Sequence, residues 1–158
     1  MKRPGFLALL STLALTLLVG PGAARAVSDQ VGGGVYLSAG FTPDPMTLDL
    51  EIDGRIDAAE EIAPDCHGFI GGPTPDAALY YNAGSFPLIF SASSDQDMTL
   101  VVNAPDGNWY CDDDSGRGLN PSIRFGAPVS GNYDIWVGRY IGPGPAVARL
   151  SISELYSE

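Results

Sequence analysis

The chain has 158 residues, 45% of them hydrophobic, and a formal net charge of −11. Two cysteines and one histidine are too few for a structural zinc fold, and the surplus of carboxylates disfavours nucleic acid and anionic membranes as partners. Twenty glycines and 13 prolines argue against a helical bundle and for short strands joined by turns.

The first stretch reads as an export signal. Met1-Lys2-Arg3 is basic, Phe6 to Val19 is apolar and uncharged, and Ala24-Arg25-Ala26 has the small-x-small form of a signal-peptidase site. Cleavage is expected after Ala26. The apolar run is too short to span a bilayer, which takes about 20 residues. No cysteine near the site offers a lipid anchor. The expected location is therefore the periplasm or the medium, with no membrane anchor once the signal is gone. Loss of residues 1–26 removes Lys2, Arg3 and Arg25 and no acid, so the remaining chain is three units more negative.

Residues 27–45 read as a flexible glycine-containing arm leading into a short strand near Val35-Tyr36-Leu37, with Pro43 and Pro45 excluding a helix. Residues 46–158 read as one β-sandwich domain. Met46, Leu48, Leu50 and Ile52 alternate with Thr47, Asp49 and Glu51, the period of a half-buried strand with its acids in water. The string Asp49 to Glu60 also fits the calcium-loop pattern of an EF-hand. Its flanks do not, because Pro43, Pro45 and Pro64 interrupt the helices such a loop needs.

Asp57 to Ile62 is the only helical candidate. Strands are predicted over 78–81, 87–91, 98–103, 122–125, 133–137 and 147–155. Together they predict an all-β fold, an antiparallel sandwich. Cys66 and Cys111 form an even pair in an exported chain, so they are expected to be disulfide-bonded. Closing a loop of this length is worth about 4 kcal/mol at the upper end.

The densest chemistry lies in 105–118, PDGNWYCDDDSGRG. Pro105-Asp106-Gly107 is turn chemistry. Asp112, Asp113 and Asp114 follow with no base before Arg117, so this loop favours a cation or full solvation. Ca2+ held by Asp112, Asp113 and Asp114, with Asp97 beside them, is one reading. Carboxylates bonded to their own backbone are the other. Trp109 is a candidate stacking platform for sugars or an aromatic ligand, and equally a packing residue. Tyr133 and Trp136 fall on opposite faces of one strand. Tyr133 shares its face with Ile135, which leaves Trp136 as a candidate for partial exposure and ligand contact.

Asp97-Met98-Thr99-Leu100, Pro105-Asp106-Gly107, Cys111 to Asp114 and Ser130 to Gly138 (SGNYDIWVG) resemble, in order and spacing, the bacterial pre-peptidase C-terminal domain. The resemblance covers about residues 79–155. It implies a jelly-roll-like sandwich without catalytic activity, of a kind usually appended to secreted proteases. Some relatives bind calcium or matrix polymers. This chain departs from that pattern in carrying no protease domain.

An enzyme reading competes with this one. His67, Asp97 and Ser115 occur in the order of a chymotrypsin-like triad, which would make the protein a secreted serine peptidase or a peptidase-associated protein. The domain is too small for two barrels, however. Arg117 stands where a second glycine would follow Gly116, and the surroundings of His67 are Cys-His-Gly. No catalytic residue is therefore expected. The function expected is an exported binding or structural module, with an extracellular or envelope protein or a polysaccharide as partner.

Overall fold

The computed structural model describes residues 34–158; the expected export signal and its cleavage point lie outside them. Among these residues, eleven strands and one short helix run in the order β1 (Val35–Ser38), β2 (Met46–Gly54), β3 (Ile56–Asp57), α1 (Ala58–Glu61), β4 (Phe69–Ile70), β5 (Ala77–Asn82), β6 (Leu88–Ser93), β7 (Met98–Asn103), β8 (Trp109–Asp112), β9 (Ser122–Phe125), β10 (Gly131–Arg139) and β11 (Gly144–Ser153).

The strands form two sheets. One is ordered β2-β11-β6-β9; in the other β10 lies between β5 and β7, with β8 beyond β7 and β1 beyond β5. The long pairings are nested and antiparallel: β2 with β11, β5 with β10, β6 with β9, β7 with β8. A chain folded double in this way and rolled into two facing sheets is a jelly roll. Among the described residues the one parallel pairing is β1 on β5.

Side-chain period decides what lies between the sheets. On β2, Leu48 and Ile52 are buried while Asp49, Glu51 and Asp53 are exposed. Leu79, Leu100, Val102, Tyr133, Ile135 and Val137 from one sheet meet Leu88, Phe90, Ala148, Leu150 and Ile152 from the other in one core. Burying a Leu, Ile or Phe side chain is worth about 1.5–3 kcal/mol, so this interface dominates stability. Its centre is aromatic: the Tyr133 ring lies 5.6 Å from Phe90 and 5.3 Å from Phe125, and its hydroxyl donates to the Val129 carbonyl at 2.8 Å.

The structure corrects several expectations. Trp109 to Asp112, expected within a loop, is β8, paired residue by residue with β7. The last strand begins at Gly144 and ends at Ser153. The helical candidate is a single turn, capped by the Asp57 carboxylate, which accepts from the Ala59 amide at 2.9 Å. The calcium-loop string lies on β2, β3 and α1, not on a loop between helices. Asp49 there accepts from Arg149, and Asp53 pairs with Arg55.

Candidate ligand-binding face

The parity that sends Tyr133, Ile135 and Val137 inward sends Asn132, Asp134 and Trp136 to the outer face of their sheet. Register extends that face sideways. Trp136 is opposite Val101, and Val101 opposite Cys111; Asp134 is opposite Asn103, and Asn103 opposite Trp109. In the other direction Asn132 is opposite Tyr80, and Tyr80 opposite Tyr36.

Half of this face is covered. The excursion from β3 through α1 to β4 folds back over it, and Ala58, Cys66, Ile70, Val101 and Trp136 form a second small core outside the sandwich. Cys66 and Cys111 are disulfide-bonded across it, with their Cα atoms 5.1 Å apart. The approach is close because Gly138 has no side chain: a Cβ there would run into the Phe69 carbonyl of β4.

The two tryptophans meet where the cover ends. Trp136 is only 5% exposed, and its indole N–H donates to the Gly72 carbonyl at 2.9 Å. Its expected partial exposure is therefore corrected: Trp136 lies on the outer face, but the 56–73 excursion seals it. Trp109 remains 41% exposed, with its ring 5.3 Å from that of Trp136 and tilted by 41°. A cleft of about 250 Å³ opens beside the pair, walled by Ile56, Glu61, Ile62 and Pro73. Among the described residues the rest of the face is open. There Tyr36 and Tyr80 stack at 4.7 Å with nearly parallel rings, and Asn132, Asp134 and Asn103 lie between them and Trp109. The Asn132 amide donates to Asp134 at 2.8 Å, while its buried carbonyl oxygen has no partner.

The acidic bend is built differently from a symmetric carboxylate cage. Asp112 accepts from the Ser115 amide at 2.9 Å, the Ser122 amide at 2.7 Å and the Ser115 hydroxyl at 2.5 Å. Its two oxygens thus brace the bend onto β9. Asp97 keeps one buried oxygen without a partner. Burial first, and then the charges of Asp114 and Asp113, raise its pKa. Among the described residues no three His, Cys, Asp or Glu side chains gather as a metal site. The donors here suit a hard cation by type, and as placed they do not close around one.

Two residues of the triad reading, Ser115 and His67, contact other partners. The Ser115 hydroxyl donates to Asp112, and the exposed His67 ring meets Tyr140 edge-on at 6.5 Å.

Sequence reasoning missed Tyr36, Tyr80, Asn132 and Asp134 as members of the face. Parity alone put Asn132 and Asp134 beside Trp136. Tyr36 and Tyr80 needed the β1–β5 pairing, which no local pattern announces. No helix among the described residues is long and apolar enough to cross a membrane.

No protein-family model matches the chain, and no curated protein does. Among solved structures it is similar to the crystal structure of Aeromonas hydrophila PliG, a periplasmic lysozyme inhibitor of g-type lysozyme. The identity is 14%, over 75% of this chain and 95% of that one, with a TM-score of 0.34. A likeness at that level carries no argument about what this chain does.

Proposed function

We propose that the protein is a non-catalytic binding module of the periplasm or cell exterior, related in kind to the pre-peptidase C-terminal domains it resembles. The outer face at Trp109 is its binding site. What carries this reading is the pairing of an exposed tryptophan with a buried one that fixes it. An aromatic ring held at the rim of a cleft loses little freedom on binding and offers a large flat contact. Engagement of the Ser115 hydroxyl by Asp112 favours this reading over a serine peptidase.

The test uses the envelope fraction of the producing cell as probe. Sedimented envelope should retain the purified protein, and Trp109→Ala should weaken retention about tenfold, the effect of roughly 1.4 kcal/mol. Equal retention of both would overturn the reading.

A second reading adds Ca2+ at the acidic bend. It is supported by the unpartnered oxygen of Asp97 beside Asp113 and Asp114, whose mutual repulsion a divalent cation would relieve. Bound Ca2+ stabilises the folded state by mass action, about 2.7 kcal/mol at a hundredfold excess over Kd. The melting temperature should therefore be higher in millimolar Ca2+ than in chelator, and Asp97→Asn should abolish the difference. Identical melts in calcium and chelator remove the metal.

A further inference from the structure

We propose that the open half of this face binds an extended, uncharged polysaccharide laid across the strands from Trp109 to Tyr36. The inference rests on the reading of the face as a binding site, and it names the ligand class.

Three observations carry it. The first is length. Trp109 on β8 and Tyr36 on β1 are separated by β7, β10 and β5, four inter-strand steps or about 19 Å. That is the reach of several sugar rings, far more than one small molecule needs. Among the described residues the strip is open along its length and walled on one side by the 56–73 excursion, so a chain can pass through it without threading.

The second is the alternation of surface type. A pyranose ring has an apolar face of C–H groups and a rim of hydroxyls. The strip offers aromatic rings at both ends, with Trp109 41% exposed, Tyr80 44% and Tyr36 72%. Between them, Asn132, Asp134 and Asn103 supply amide and carboxylate groups at hydrogen-bonding reach of such a rim. The Asn132 amide and the Asp134 carboxylate it donates to form a donor–acceptor pair near the middle of the strip. A protein partner of ordinary kind would want a contiguous apolar centre, and here polar side chains interrupt the rings.

The third is charge. The described residues contain five bases, Arg55, Arg117, Arg124, Arg139 and Arg149. None occupies an outward position on β1, β5, β7, β8 or β10 across the strip, where Asp134 is the one charged group. An anionic polymer would find no countercharge along the strip and would be repelled at Asp134.

The isotope-labelled protein is titrated with neutral oligosaccharides of β-glucan, chitin and mannan type, each from disaccharide to hexasaccharide, following amide shifts. At least one series should shift Tyr36, Tyr80, Asn132 and Trp109 together. Its affinity should rise about tenfold with length before levelling off. Tyr80→Ala, an exposed position whose loss leaves the core intact, should flatten the length dependence, and Trp109→Ala should weaken every length. Matching melting temperatures show that both variants fold. Affinity independent of length, no shift on this face with any series, or tighter binding of dextran sulfate would each overturn the proposal. If no glycan binds but an envelope protein binds the wild type and not Trp109→Ala, the binding face stands and the polysaccharide is wrong.

Discussion

Asp76 sits where β10 has lost one neighbour and not yet gained the next. Ile135 pairs with Ala77 on β5 and Arg139 pairs with Phe69 on β4. The Val137 amide between them is satisfied instead by the Asp76 carboxylate, which accepts at 2.9 Å. Burial pushes that carboxyl up from 3.8 to about 6, against the opposing pull of the Val137 hydrogen bond. The folded state therefore holds this proton more tightly than the unfolded chain. Its contribution to stability is fully present below pH 3.8 and is lost as pH rises through about 6. Asp76→Asn keeps an acceptor for Val137 and removes the titration. The difference in unfolding free energy between variant and wild type should shift in favour of the variant across that window and stay flat above it. Urea unfolding of both proteins from pH 3 to 8 measures this; a difference independent of pH would mean that Asp76 does not titrate there. None of this was legible in the sequence. Asp76 lies in a proline-flanked turn, and an acid in a turn is ordinarily solvated.

At the scale of elements, alternation made β2 legible within two residues, while β5, β7 and β10 were legible to the same margin as short apolar runs bounded by turn residues. β8 was not legible. Its four residues are flanked by turn chemistry and carry an acid, and a strand at a sheet edge has only one neighbour to enforce a pattern. The consequence reached the site. With Trp109 to Asp112 read as loop, the acids that follow looked like a free cage. As a strand, the segment holds Trp109 in register over Asn103, and Asp112 becomes a brace to β9. The excursion from β3 to β4 is the other element that local pattern could not supply. Cysteine count implied a tether between Cys66 and Cys111, and parity put Trp136 on the outer face. That the tethered segment lies over that tryptophan is a tertiary fact. It leaves Trp136 as a fixed backing for Trp109, so of the two tryptophans expected at a ligand, one stays exposed and the other supports it.

The jelly roll as a whole is closed by residues distant in sequence. Glu154, just past β11 and 4% exposed, accepts from the Gly40 amide at 2.8 Å and from the Tyr81 hydroxyl at 2.6 Å. Tyr81 belongs to the opposite sheet, and Gly40 to the turn after β1. Asp44, between β1 and β2, accepts in turn from the Ser153 hydroxyl at 2.5 Å and the Glu154 amide at 3.1 Å. Burial and the neighbouring carboxylate push the Tyr81 phenol well above its ordinary range, so it stays a donor. One carboxylate thus ties the end of the last strand to both the first turn and the facing sheet, and the edge strand bearing Tyr36 hangs from that tie. A hydrogen bond to a buried charged group contributes about 1.5–3 kcal/mol. Tyr81→Phe should accordingly destabilise the domain by roughly that amount in urea unfolding. Glu154→Gln should cost as much or more, because the Gly40 amide loses a charged acceptor as well. The double variant should fall short of the sum by about the energy of the shared bond. Strict additivity would mean that the two side chains act separately and that closure of the roll depends on the core alone.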